Sequence, residues 1–280
     1  MTPAAGIAGE ATSDSADIAL GDLAARARTR SRRWWVPAGR ALFVAVALLA
    51  WQAADVRLVP DFVISSPTHV AAKLAALLAT GKVWPDVVVS VEELALGYAS
   101  GALAGIVVGV LLGLWPLAAA VFEPIISAVN GIPKVALAPL FLLWLGIGLM
   151  SKVGIASMSV FFVAFYHTYL GMTLVPQNLV DVLRLMDAPR RTIVRRVVIP
   201  SITAPIMAGL KAGVPFAMIG VVVGEFVASD SGVGFYIRRS TEQYDSAGVF
   251  AGIIVLVVII LAAGALLNGV ERRALRWRNA

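Results

Sequence analysis

Four stretches of this 280-residue chain, 94–122, 135–151, 153–180 and 246–270, contain no Asp, Glu, Lys or Arg. About twenty apolar residues suffice to cross the hydrocarbon core of a bilayer, so runs of this kind demand a membrane as solvent. There, every backbone N–H and C=O must be satisfied inside the protein, which leaves helices or closed barrels. Barrel strands alternate apolar and polar residues over roughly ten positions and do not generate such runs. The composition agrees, being 59% hydrophobic and 14% charged with a mean hydropathy of +0.86, against about 45–50% apolar and about 25% charged in soluble domains. The expected fold class is all-α integral membrane.

Two further stretches extend the bundle. Residues 197–224 are broken only by Lys211, and the shorter run near 41–54 lengthens if Arg40 snorkels to the headgroups. About six spans result, near 37–55, 94–116, 119–146, 150–171, 201–226 and 248–270. Basic residues set their orientation. The N-terminal flank carries Arg26, Arg28, Arg30, Arg32, Arg33 and Arg40; the loop after the fourth span carries Arg184, Arg190, Arg191, Arg195 and Arg196; the C-terminus carries Arg272, Arg273, Arg276 and Arg278. Fifteen of the 23 Lys and Arg thus fall on one side, which the positive-inside rule makes cytoplasmic. A multi-pass membrane protein with both termini on the cytoplasmic side is expected. The net charge of +6 then reflects orientation and attraction to anionic lipid, not a nucleic-acid surface, because the arginines are not interleaved with exposed aromatics. Residues 1–35 read as a disordered basic tail and 36–280 as the transmembrane domain. Residues 66–78, apolar at helical spacing after Ser66–Pro67, suggest a surface helix on the extracytoplasmic side.

Little chemistry is available. The chain has no cysteine, and His69 and His167 are far apart and outside any HExxH pattern, so no metal site is expected. Neither GxxxxGK[ST] nor GxSxG occurs. No cofactor is expected in this chain, and any ATP chemistry must come from another.

The second span carries Gly97, Gly101, Gly105, Gly109 and Gly113 at a strict spacing of four. Such a ridge lets another backbone approach closely, either within the chain or between subunits, as helices associate in lipid. The third span contains Pro124, Pro133 and Pro139 with Gly131 nearby, so it should be kinked or partly broken, and broken helices at membrane depth tend to line a cavity. Lys134 lies ~22 Å of helix beyond Ala119 and Lys211 ~16 Å beyond Pro200, at 1.5 Å per residue. Intramembrane cations face a partner or a water-filled path. Either these lysines favour an anionic solute, or they pair with Glu123, Glu225 or freed backbone carbonyls. Pro133, Lys134, Pro139, Lys211 and Glu225 are the pathway candidates.

The loop 178–200 is too polar to span but strongly patterned. Leu179, Val182, Leu183 and Leu185 or Met186 recur at helical spacing, Ala188–Pro189 turns the chain, and a second basic helix over 190–198 should end at Pro200. A short amphipathic helix of this kind suits docking in a groove on a partner, or lying on anionic lipid.

This loop resembles the cytoplasmic EAA loop of ABC-importer permeases. Asp181-Val182-Leu183 takes the EAA place, Asp187 that of the glycine, Val197 the isoleucine and Ile199-Pro200 the closing LP, without a gap. Val182 and Leu183 replace small alanines, and Asp187 tolerates the left-handed backbone that a glycine there would adopt. Ile132-Pro133-Lys134 through Pro139-Leu140, Trp144-Leu145-Gly146-Ile147-Gly148, Ser65-Ser66-Pro67, the segment 220–225 ending in Glu225, Gly232-Val233-Gly234 and Glu271-Arg272-Arg273 with Trp277 resemble the nitrate/sulfonate/taurine branch. The resemblance implies a type I ABC-importer permease fold. It also implies a pair of permeases, commonly two copies of one chain, on two ATPase subunits that hold ATP and Mg, fed by an extracytoplasmic solute-binding protein. Asp181, Val182, Leu183, Leu185, Met186, Asp187, Ala188 and Pro189 would then be the ATPase-coupling residues. The solute implied is a small anion, although the branch also carries vitamin precursors. An ion-gradient-driven secondary transporter is the alternative, but it predicts inverted repeats and paired intramembrane acids. A membrane enzyme would need a polar cluster, whereas Glu92, Glu93, Glu123 and Glu225 are scattered over different spans.

Overall fold

The computed structural model describes residues 39–53 and 65–276. The tail expected over 1–35, Trp277 and Arg278 lie outside them. The chain divides into two units, residues 1–68 and 69–280. Within the first, α1 (Gly39–Ala53) is a short apolar helix whose Leu42, Phe43 and Leu49 stand exposed.

The second unit has helices and no strand among the described residues. After α2 (Pro67–Ala79) come α3 (Trp84–Leu114), α4 (Pro116–Asn130), α5 (Lys134–Leu145), α6 (Leu149–Thr173), α7 (Gln177–Leu185), α8 (Arg190–Ile193), α9 (Ile199–Ala228), α10 (Val233–Glu242) and α11 (Ser246–Ala274). Four helices are long and apolar enough to cross a membrane: α3, α6, the continuous stretch Arg190–Ala228 and α11. The α4–α5 pair, bent by 96°, makes five if counted as one span. The bend falls at Gly131–Pro133, where Pro133 has extended backbone (ψ 113°) and starts α5.

Helix α3 starts ten residues before the charge-free run 94–122 and ends within it. Pro85 sits in its first turn, where a missing N–H costs nothing, and the polar residues of its opening turns find buried partners described below. The basic segment after α7 also departs from expectation. It does not end at Pro200 but runs through a π-helical turn, Val194–Val198, directly into α9. In that turn the Ile199 N–H donates to the Val194 carbonyl, five residues back. Pro200 falls in the first turn of α9, and the hydroxyls of Ser201 and Thr203 donate to the Val197 and Ile199 carbonyls at 2.7 Å each.

The centre of the bundle is α6, held between two runs of glycine. All five ridge glycines of α3 face α6: a Cβ at Gly101 would collide with the Ser157 carbonyl, and Gly97, Gly105, Gly109 and Gly113 meet Ala156, Phe161 with Ala164, Thr168 and Met172. On the other side Gly209, Gly220 and Gly224 of α9 face His167, Ala156 and Lys152. Helices in lipid gain little from burying apolar area, so this close backbone approach supplies the association through dispersion contacts. Ala156, Val160 and Phe165 are completely buried as a result.

Candidate functional site

Helix α7 presents two different faces. Val180 is buried against Met172, Val175, Ile193, Val197 and Ile202, with Leu183 packed beside them. On the outer face Leu179, Val182, Leu185 and Met186 are exposed, Leu185 to 86%. Large apolar side chains standing open on a short rigid helix form a surface suited to a partner's groove.

The helix ends in a Schellman cap. Asp187 has φ 52°, the Ala188 N–H donates to the Leu183 carbonyl and the Asp187 N–H to the Arg184 carbonyl, both at 3.0 Å. This pair of bonds satisfies the last carbonyls of the helix and needs a residue in the left-handed region, commonly Gly or Asn. Asp187 occupies that position. The chain then leaves through Ala188 and Pro189 into α8, while Asp181 forms an exposed ion pair with Arg184 at 3.3 Å.

The pathway candidates are not brought together; each has its own partners. Lys134 donates to the Asn130 carbonyl at 3.0 Å and to Asn130 Oδ1 at 2.8 Å, and sits 5.1 Å from the centre of the Phe162 ring. It thus caps the C-terminus of α4, where a cation complements the helix dipole, and among the described residues no carboxylate pairs with it. Lys211 pairs with Glu271 of α11 at 2.7 Å, not with Glu123 or Glu225. Glu123 accepts from Tyr169 Oη at 3.3 Å. Pro133 and Pro139 belong to α5, at the bend and inside the helix.

Glu225 lies in a buried polar cluster. Ser90 Oγ of α3 donates to its Oε1 at 2.6 Å and accepts the Val233 N–H at 2.8 Å, and the Gly234 N–H donates to its Oε2 at 2.5 Å. Beside it Lys152 of α6 pairs with Glu93 of α3 at 2.5 Å and donates to Ser229 Oγ at 2.9 Å. Asp86 accepts the Gly232 N–H at 2.9 Å. Gly232 has φ 106° and leaves no room for a Cβ beside the Glu225 carboxylate. The cluster therefore joins α3, α6 and α9 to the start of α10. Glu93 and Glu225, which sequence places on different spans, meet here. The available signal was Lys152, an isolated cation between two charge-free runs that had to find a buried partner.

Outside the spans, Lys73 of α2 pairs with Asp245, the N-cap of α11, at 2.6 Å, and Asp245 Oδ1 accepts the Gly248 N–H at 2.9 Å. The hydrogen bond to Asp245 raises the Lys73 ammonium above its ordinary range, against the effect of burial. For Asp245, burial pushes the carboxyl up, but Lys73 and the Gly248 N–H outweigh it and hold it below the usual range.

A helical bundle with glycine-packed spans, one sharply bent helix pair and an exposed amphipathic helix defines an all-α membrane protein. The chain belongs to the family of binding-protein-dependent transport system inner membrane components, which it matches over residues 101–276. SsuC of Bacillus subtilis (strain 168), named for aliphatic sulfonates transport, is 28% identical over 252 residues, covering 90% of this chain and 91% of SsuC. The formylaminopyrimidine transport permease protein ThiX of Halalkalibacterium halodurans is 27% identical, covering 85% of this chain and 94% of ThiX. The taurine transport system permease protein TauC of Escherichia coli (strain K12) is 25% identical, covering 89% and 94%. The fold is similar to that in inward-facing conformations of the MetNI methionine ABC transporter, with a TM-score of 0.58 at 19% identity over 69% of this chain and 98% of that one. The chain is thus a permease subunit of an ABC importer, and not itself an enzyme.

Proposed function

We propose that this permease carries a small anion of the sulfonate, nitrate or taurine kind, delivered by an extracytoplasmic binding protein. It works as a homodimer on two copies of an ATPase that binds ATP and Mg, with both termini on the cytoplasmic side of a bacterial inner membrane and lipid around its spans. The observation that carries the coupling role is the outward apolar face of α7, closed by the left-handed Asp187 at the position of the EAA-loop glycine. In this reading the segment from Asp181 to Pro189 presses into an ATPase groove. Closure of the ATPases on ATP swings the permeases toward the outward-open state, and hydrolysis resets them. Such coupling requires that α7 make different contacts in the two states.

Two observations support an anionic solute. Lys134, at the bend between α4 and α5, has no carboxylate partner among the described residues, and two relatives are named for sulfonates and taurine. ThiX is named for formylaminopyrimidine instead. The test is uptake of labelled taurine, nitrate and formylaminopyrimidine by the reconstituted complex. Uptake of nitrate and of taurine, whose sulfonate carries the negative charge, reduced severalfold by Lys134→Met at unchanged protein level, supports the reading; uptake of the pyrimidine alone overturns it.

A further inference from the structure

The helix that runs from Arg190 to Ala228 is continuous and apolar over 39 residues. Apart from Lys211, its cations are confined to the first two turns: Arg190, Arg191, Arg195 and Arg196. Three of them converge. Arg191, Thr192, Arg195 and Arg196 line a single cleft of about 610 Å³. In an α-helix residues i and i+4 share a face. Arg191 and Arg195 are such a pair, and Arg196 lines the same cleft.

Among the described residues none of these three guanidiniums has an ion-pair partner; Arg184, the nearby arginine that does, is held by Asp181. Three adjacent cations repel one another, so an anion in the cleft relieves a strain that the chain does not relieve itself. Guanidinium forks match phosphate oxygens in bidentate pairs, and Thr192 adds a hydroxyl. The flanking apolar side chains, Val194 and Ile199, are exposed at 39% and 50%. The cleft therefore lies where polar chain gives way to membrane helix, with oil-facing side chains beside it.

We propose that Arg191, Thr192, Arg195 and Arg196 bind the phosphate of an anionic phospholipid headgroup, whose acyl chains lie along the apolar start of α9. Such a lipid anchors the junction between the docking helix and the span that it must move. The ligand chemistry is a phosphate oxyanion, which a free phosphate could also supply. Retention of phosphatidylglycerol over phosphatidylcholine distinguishes the two.

The test uses the full chain in nanodiscs of equal parts phosphatidylcholine and phosphatidylglycerol, released into native mass spectrometry. The proposal predicts that phosphatidylglycerol is retained at least about tenfold over phosphatidylcholine, as expected for several basic side chains near an anionic surface. Replacing all three arginines by Gln abolishes the preference. Replacing them by Lys keeps the charges that orient the helix but loses the forks, and leaves an intermediate preference. Inorganic phosphate at millimolar concentration does not displace the lipid. Equal retention of both lipids, or a preference unchanged in the Gln variant, overturns the proposal. Displacement by inorganic phosphate assigns the cleft to a soluble phosphate and overturns the lipid. Loss of ATPase association in the Gln variant without any lipid preference makes the cleft a protein contact and also overturns it.

Discussion

Lys152 of α6 and Glu93 of α3 meet at 2.5 Å with their side chains 6% and 1% exposed, inside the buried polar cluster that also holds Ser90 and Glu225. Taking two charges out of water is costly, and their attraction offsets the cost only while both remain. Lys152→Met leaves the Glu93 carboxylate without its cation and should lower stability by about 3–5 kcal/mol, read as a fall in thermal midpoint of the detergent-solubilised chain. Glu93→Gln combined with Lys152→Met should recover part of the loss. A single variant as stable as the wild type would show that the pair does not hold α3 to α6.

Gly101 tests the glycine ridge. Its Cβ position coincides with the Ser157 backbone, which cannot swing aside as a side chain could. Gly101→Val should cost about 1–3 kcal/mol or more through overpacking. Gly264 has nothing within 4 Å of its Cβ position, so Gly264→Ala should be neutral or slightly stabilising. Equal effects of the two substitutions would argue against the close α3–α6 approach.

The cap of α7 gives a prediction of opposite sign for two substitutions. Asp187 stands at φ 52°, a conformation that costs an L-residue roughly 1–2 kcal/mol and glycine little. Asp187→Gly should therefore retain or tighten ATPase association, whereas Asp187→Val should weaken it, because a β-branched side chain disfavours that backbone. Pull-down of the ATPase with each variant measures this, and indistinguishable recoveries would contradict it.

Lys73 and Asp245 predict a pH dependence. The Asp245 carboxyl is held below its ordinary range, so its contribution to stability is present above the ordinary carboxylate pKa and lost as pH falls through the lowered folded value. The Lys73 ammonium is raised, so its contribution is present below the ordinary lysine pKa and lost as pH rises through the raised value. Both side chains are partly exposed, at 39% and 27%, and solvent screening limits the pair to about 1 kcal/mol or less. Asp245→Asn keeps the cap on Gly248 but removes the charge. The stability gap between wild type and this variant should be constant around neutral pH and close below about pH 4; a gap that widens on acidification would contradict the assignment.

Much of this architecture can be read from residue patterns. Charge-free runs locate the long helices because lipid excludes unpaired charge, and the break at Gly131–Pro133 follows from backbone chemistry alone. The amphipathic period of 179–186 and the left-handed tolerance of Asp187 foreshadow α7 and its cap. What could not be read was pairing across the chain. Glu93 and Glu225 lie far apart in sequence, and only the packing of α3 and α9 on α6 brings them together around Lys152. Likewise Lys211 finds Glu271 at the far end of α11, and a proline at 200 reads as a stop although a π turn carries the helix through it.

The most direct test of the account is native mass spectrometry of the chain purified gently from its own membranes. Two copies recovered with two copies of an ATPase, reduced to permease alone by Asp181→Arg without loss of folded protein, is the predicted result. Recovery of the wild-type chain alone or as a bare oligomer, under conditions that preserve a known ABC complex, would contradict it.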